Sequence, residues 1–420
     1  MTEDVRREVA AVWRIESAKI LATLTRTVGD LDLAEDLAGQ ALLEAVEQWP
    51  TSGVPRNPAA WLTSVARRRA IDGWRRKARL DERYAHFARE LENGASIVEN
   101  EPWDPDRIDD DILRLIFIAC HPVLNRKAQV ALTLRIVGGL TTEEIAKAFL
   151  ISTATVQQRI VRAKKTLTSA KVAFEVPERA EFARRLGGVL SVVYLVFNEG
   201  YAASSGEEWM RTDLSNEALR LARILAELVP QEPEVHGLVA LMELTASRFG
   251  ARTDPDGVPI LLSEQNRTKW DRGQITRGLA SLARADAIGR GRGPYSLQAG
   301  IAECHAVAAT FADTDWKRIV LLYEALQQLA PSPVVDLNLA AAVSMAYGPV
   351  IGLEYVDKLV SAGTLSGYHL LPSVRGDLLA QLGRIDEARI ELLEAARLAG
   401  NERERAVLTA KAAELGSAQR

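Results

Sequence analysis

The 420-residue sequence contains only two cysteines, Cys120 and Cys304. They lie far apart, with no second Cys or His at zinc-ligand spacing, so neither a disulfide framework nor a zinc module is indicated and a reducing compartment fits. The longest apolar stretch, Gly187 to Phe197, is too short to span a bilayer, and the N-terminal MTEDVRREVAAVWRIES alternates charges where an export signal needs an unbroken apolar core. The expectation is a cytoplasmic protein with no membrane partner. Val/Ile/Thr alternation bounded by turn dipeptides is absent, which argues against sheets. No phosphate-cradling glycine loop is found either, since GRGRGP near Gly289 lacks the flanking strand and helix. Without a paired acid and base, a nucleophile, a metal set or a cofactor fingerprint, no enzyme and no cofactor are expected. Cys120-His121 is followed by Pro122 and lacks a third ligand or an orienting carboxylate, so a structural role is expected there. His305, beside Cys304, is expected to pack or hydrogen-bond within its helix.

What is present is helix-forming. Ala, Leu, Arg and Glu dominate, apolar residues recur at three- and four-residue spacing, and the chain reads as all-α. Its length exceeds the ~250–300 residues at which one core stops growing, so several domains are expected. The hydrophobic share of 47% with 26% charged residues suffices for ordinary cores. Net charge is only −4, from 52 basic and 56 acidic residues, but the charges are sorted along the chain.

A first helix runs from Val5 to Thr27, with Val9, Val12, Trp13, Ile20, Leu21 and Leu24 on one face. Gly29 and Asp30 stop it before a second, acidic helix from Leu33 to Trp49. Asn57 caps a third helix with Pro58 at its first position. That helix ends in seven basic residues between Arg67 and Arg79 against one acid, Asp72, with Trp74 interleaved, the pattern of a polyanion-facing surface. Trp61 lies on the apolar face and is expected to pack, whereas Trp74 fits either role. From Asp81 to Asp111 the balance inverts to eleven acids against three arginines, broken by Asn-Gly, Pro102 and Pro105, and an acidic, partly extended linker is expected. A compact helical unit spans 112–173, and Pro177 marks the boundary to a helical remainder over 178–420.

The sharpest local signal is Leu140 to Leu167, which reads as helix, tight turn, helix. Thr141 with Glu144 makes a capping box, and Ser152 or Thr153 caps the second helix. Ile145, Ala146, Val156 and Ile160 form the internal contact, while Gln157, Gln158, Arg159, Arg162, Lys164 and Lys165 stay outside. No acid occurs between Ser152 and Lys171. Such a helix suits the major groove, where Arg and Gln read base edges while Lys and Thr hold phosphates.

In DLAEDLAGQALLEAVEQWP, in NPAAWLTSVARRRAIDGWRRKAR and in the helix-turn-helix, the sequence resembles extracytoplasmic-function (group four, sigma-70 family) RNA polymerase sigma factors. The first two strings are similar to region 2 and the third to region 4. The turn pair Leu150-Ile151 departs from the Gly-Ile of common members. Together with CHPVLNRKAQVALTLR, YLVFNEGYAASSGE, LLSEQNRTKW and GPYSLQAGIAECHA, it resembles a subgroup with a large C-terminal extension. The resemblance implies two small helical sigma domains, region 2 over 1–80 and region 4 over 112–173, joined by an acidic linker over 81–111. It implies core polymerase contact by Asp32, Glu35, Asp36, Gln40 and Glu44; on charge alone the alternative is a solvated acidic helix face. Arg67, Arg68, Arg75, Arg76 and Arg79 would hold −10 promoter phosphates, with the loop from Trp49 to Pro58 receiving an unstacked base. Thr153, Thr155, Gln157, Gln158, Arg159, Arg162 and Lys165 would read the −35 element.

The extension over 178–420 carries one repeat at tetratricopeptide (TPR) spacing, with Gly376, Leu379, Gly383, Ala388, Leu392 and Ala395 letting two helices pack closely. Helices that end near Pro230 and Pro331 fit degenerate copies of it. In FNEGY, Gly200 suits a left-handed C-cap. Asn198, Glu199 and Tyr201, with Gln265, Arg267, Trp270 and Asp271, are candidates for an interdomain or ligand contact.

The reading is a sigma factor directing promoter-specific initiation in the nucleoid, with core RNA polymerase and promoter DNA as partners. Its TPR-like extension is expected to regulate it and to offer a surface to a protein or peptide. The alternative is a helix-turn-helix operator-binding regulator with a helical effector domain, for which the first 80 residues would be superfluous.

Overall fold

The computed structural model describes residues 3–78, 105–149, 151–202, 210–255 and 257–417. Among the described residues the fold is all-α, with a lone bridge between Thr253 and Pro259 the only strand-like pairing. The chain forms two compact units, Met1–Val192 and Val193–Arg420.

In the first unit, α1 (Glu3–Val28) stops at Gly29, whose φ of +69° is one that L side chains rarely adopt. Asp30 then caps α2 (Leu31–Ser52) by accepting the Leu33 N–H at 2.9 Å. The helix starts two residues before the Leu33 expected from periodicity, because Asp30 itself is the cap. It also continues through Pro50 to Ser52 rather than ending at Trp49. Trp49 is buried at 3% exposure and its carbonyl accepts the Gly53 N–H at 3.0 Å, so the last turn is anchored. Trp49 therefore belongs to the core and not to the connecting loop, where its ring meets Trp61 edge-on at 5.5 Å. Asn57 caps α3 (Pro58–Ala78) through the Ala60 N–H at 3.0 Å.

Residues 79–104, most of the expected acidic linker, lie outside the described part. Its last residues are not extended: α4 (Pro105–Ala119) begins at Pro105. A proline at a first helical position followed by acids is a helix-start signal, and here it overrides the linker reading. Next come α5 (Arg126–Ile136), α6 (Thr142–Phe149) and α7 (Thr153–Ser169). Helix α4 packs on α1, and α5 and α6 pack on α7. Cys120 is buried with Sγ 3.4 Å from the Thr133 hydroxyl, and burial pushes its thiol up to about 11, which suits an inert core residue.

Helix α8 (Arg179–Tyr201) starts just after Pro177 and contains the division between the units. In the second unit follow α9 (Thr212–Leu228), α10 (Pro233–Ala246), α11 (Arg272–Ala287), α12 (Pro294–Val307), α13 (Trp316–Leu329), α14 (Pro333–Tyr347), α15 (Pro349–Ser361), α16 (Leu370–Gln381), α17 (Ile385–Leu398) and α18 (Glu402–Ser417). Short 3-10 turns lie at Phe249–Ala251 and Arg267–Lys269. From α12 to α18 each helix packs on the next, and the apolar residues divide into small local clusters rather than one centre. As expected, α9 and α13 end just before Pro230 and Pro331. Gly376 sits where α16 meets α17: a Cβ there would lie 3.0 Å from Leu392 and 3.1 Å from the Ala388 carbonyl. Glu243 of α10, 1% exposed, is held by Arg223 of α9 and Arg277 of α11.

Candidate nucleic-acid and protein interface

Helices α6 and α7 form the expected helix-turn-helix. The Thr141 N–H donates to the Glu144 carboxylate at 2.8 Å, and the Glu144 N–H donates to the Thr141 hydroxyl at 3.1 Å, a complete capping box. Ser152 caps α7 by accepting the Thr155 N–H at 3.2 Å. Ile145, Ala146, Val156 and Ile160 are buried between the helices. Leu150 lies outside the described residues; Ile151 takes no positive φ, and its N–H reaches the Ala146 carbonyl at 3.1 Å.

On the outer face of α7, Gln157, Gln158, Arg162 and Lys165 are exposed and Arg159 is half-exposed. Thr153 is half-buried, and the Thr155 hydroxyl is engaged with Ser152 Oγ at 2.8 Å. Lys164 departs from expectation. Its side chain is only 15% exposed and its ammonium lies 2.6 Å from Glu35 and 2.7 Å from Asp32 of α2. At α-helical pitch Lys164 points away from Arg162 and inward, which charge alone could not reveal.

The acidic helix α2 is thus divided. Glu35 holds Lys164 and also accepts from Arg135 of α5 at 3.1 Å, and Glu44 holds Arg69 of α3 at 2.8 Å. Asp36 and Gln40 face outward, and Leu43 beside them is 66% exposed. An apolar residue on an acidic face was the sequence signal for Leu43. On α3, Arg68 is exposed and Arg67 half-buried. Arg75 and Arg76 lie on the helix, but their side chains, and all of Arg79, are outside the described part.

In the second unit the structure brings together only part of the expected contact. Gly200 is inside α8 and not a left-handed cap; a Cβ there would lie 2.5 Å from Ser215 and 2.8 Å from the Arg211 carbonyl, so it serves close approach to α9. Glu199 pairs with Arg211 at 2.9 Å. The Tyr201 hydroxyl accepts from Arg248, whose guanidinium also lies 5.8 Å from the Trp270 ring centre, and Arg267 lies 4.8 Å from that ring. Arg252 stacks on Tyr201 at 3.4 Å, and burial pushes its guanidinium down to about 10. Arg248, which no sequence motif marked, therefore joins Tyr201 to Trp270, whose ring also faces Arg267, while Arg252, equally unmarked, adds a second cation on Tyr201. Asn198 faces Tyr194 instead, Gln265 donates to the Ile260 carbonyl at 3.1 Å, and Asp271 caps α11.

Residues 15–80 match sigma-70 region 2 and residues 114–167 match sigma-70 region 4. Probable ECF RNA polymerase sigma factor SigI of Mycobacterium tuberculosis (strains CDC 1551 / Oshkosh and H37Rv) is 26% identical over 168 residues, 40% of this chain and 57% of that protein. The chain belongs to the sigma-70 family. Residues 185–286 of this sigma factor match a family of unknown function (DUF6596). An uncharacterized protein (R00370) of Rhizobium meliloti strain 1021 is 45% identical over 393 residues, 92% of this chain and 91% of its own length, so the large helical extension is shared with it.

The sigma-70 family is one of non-enzymatic transcription factors, and its two domains imply binding to core RNA polymerase and promoter DNA. Among the described residues of this sigma factor no helix is long and apolar enough to cross a membrane.

Proposed function

We propose that the sigma factor directs promoter-specific initiation through three successive surfaces: the exposed edge of α2 for core polymerase, the basic end of α3 for the −10 element, and α7 for the −35 element. The observation that carries this reading is the order of the pieces on one chain. A capped helix-turn-helix with Gln157, Gln158, Arg162 and Lys165 turned outward follows an acidic helix and a basic one. Operator binding would need only the first of these. Asp32, Glu35, Asp36, Gln40 and Glu44 remain the polymerase set, with Leu43 as its apolar centre. Arg67, Arg68, Arg75, Arg76 and Arg79 serve the −10 phosphates. Action in the cytoplasm on nucleoid DNA follows from that role.

The extension over 178–420 regulates this activity. Its support is the stack of α12 to α18, in which neighbouring helices bury small local clusters, the organisation of a TPR-like solenoid suited to a protein or peptide partner. The Tyr201, Arg248 and Trp270 cluster is its candidate contact.

The polymerase contact is tested with full-length Leu43→Asp and Asp36→Lys and sigma-free core polymerase. Both positions are exposed, so folding is expected to be unchanged while affinity falls about tenfold or more, the loss typical of an interface hot spot. Equal affinity of both variants would remove α2 from the interface.

A further inference from the structure

The outer face of α7 exposes one large apolar side chain among the described residues, Val161, at 63%. Gln157 and Gln158 lie one turn before it and Lys165 one turn after, all exposed, with Arg162 beside it. The inner face is already supplied by Val156, Ile160, Ala163 and Leu167, which are buried, so Val161 adds nothing to the core of the helix-turn-helix. Nor does it favour the helix: a β-branched residue loses side-chain freedom there, and at a solvated position Ala, Lys or Gln would suit α7 better. Packing and helix propensity thus leave Val161 without a role, and it stands inside the surface that carries the base-reading amides.

Size and setting select its partner. A protein docks on a contiguous apolar core, whereas here the apolar area is a single isopropyl group among amides and cations. In the DNA major groove the apolar group of matching size is the C5-methyl of thymine, which no other standard base carries. Gln158 and Val161, three residues apart, are separated by about 4.5 Å along the helix axis. That is little more than the ~3.4 Å step between base pairs, so a helix lying in the groove presents the two side chains to the same or neighbouring pairs.

We propose that Val161 is a specificity-determining residue of α7 that selects thymine, by apolar contact with its C5-methyl, within one base-pair step of the base held by Gln158. This rests on the reading of α7 as the −35 reader. The two side chains divide the task. Gln158 pairs with the N6 and N7 edge of adenine, and Val161 rejects cytosine at the thymine position, because cytosine lacks the methyl and turns its N4 amino group toward a side chain with no acceptor.

The test uses holoenzyme assembled from the full chain and core polymerase, on promoter fragments in which each −35 thymine is replaced in turn by deoxyuridine, which pairs identically but lacks the methyl. One replacement is expected to weaken binding by the unsubstituted protein about fourfold, the worth of one buried methyl, and to leave Val161→Ser unaffected. Val161→Ile, which keeps a branched apolar surface, is expected to retain the sensitivity. Selection from randomised −35 elements is expected to lose its thymine preference at that position with Val161→Ser and to keep the preference set by Gln158. Deoxyuridine tolerated at every position, or costing Val161→Ser as much as the unsubstituted chain, would overturn the proposal; a loss of −35 binding by Arg159→Ala/Arg162→Ala in the same assay would then leave α7 as the reader. If that double variant binds as well as the unsubstituted chain, the reading of α7 fails and the assignment of Val161 fails with it.

Discussion

Phe182 of α8 meets Phe117 of α4 edge-on, with ring centres 5.4 Å apart. One turn on, Arg185 lies over the same ring at 5.5 Å and donates to the Phe117 carbonyl at 3.0 Å, and the Gly188 carbonyl accepts from Arg126. The first half of α8 is thus structurally part of the region 4 module, although it follows Pro177 in sequence. Phe182→Ala is expected to destabilise the first unit by about 1–3 kcal/mol, for a partly buried aromatic that leaves Phe117 underpacked. Thermal or denaturant unfolding checks this. A truncation after Phe174 is expected to unfold more readily than one retaining residues 175–192, so loss of activity in the shorter form reports stability rather than regulation.

The two caps of the helix-turn-helix make separable contributions. Thr141→Ala removes one arm of the capping box and Ser152→Ala the cap of α7, and each is expected to cost about 1 kcal/mol. The Ser152 change is expected also to weaken −35 binding, because the first turn of α7 carries Thr153 and Thr155. Equal DNA affinity in both variants and the unsubstituted chain, at matched fold stability, would detach the cap from recognition.

Capping and patterning made most of the sigma modules legible in the sequence. Thr141 and Glu144, Ser152 and Asn57 all act as their spacing implied, since a cap is a local interaction, whereas Asp30, read only as part of a stop, caps α2. What could not be read was the direction of long side chains set by tertiary contacts. Lys164 looked like one more outward cation until α2 supplied two carboxylates. Trp49 was read as the start of a loop, but burial against Trp61 carries α2 past Pro50. The contact around FNEGY was only half legible, because Arg248, which connects Tyr201 to Trp270, and Arg252, which stacks on Tyr201, stand in no recognisable motif.

Acid sensitivity of the extension is expected to trace to His305. Burial, with the Arg248 and Arg267 cations, pushes its imidazole down from 6.5 to about 4, and the ring packs neutral against Trp316 at 5.2 Å. The unfolded chain therefore binds a proton that the folded one does not between about pH 6.5 and 4. The stabilisation is fully present above that window and is lost as pH falls through it, by an amount on the order of 3 kcal/mol. Unfolding of His305→Gln followed across the same range is expected to show a correspondingly shallower decline; an identical pH slope would exclude His305 as the cause.

Base reading and phosphate holding on α7 should separate. Gln158→Ala is expected to relax preference at one −35 position by ~1–3 kcal/mol, whereas Lys165→Ala is expected to weaken all sequences alike and reduce the salt dependence. Selection from randomised −35 elements, repeated at two salt concentrations, distinguishes the two effects.

The most direct test of the central claim is reconstituted initiation: purified full-length protein and sigma-free bacterial core polymerase on a pool of genomic fragments, with transcript starts sequenced. Discrete starts sharing two spaced promoter elements, lost with Arg75→Ala/Arg76→Ala and with Arg159→Ala/Arg162→Ala, are predicted. Absence of initiation by a preparation that binds DNA normally, with and without its extension, would contradict the account and leave an operator-binding protein in its place.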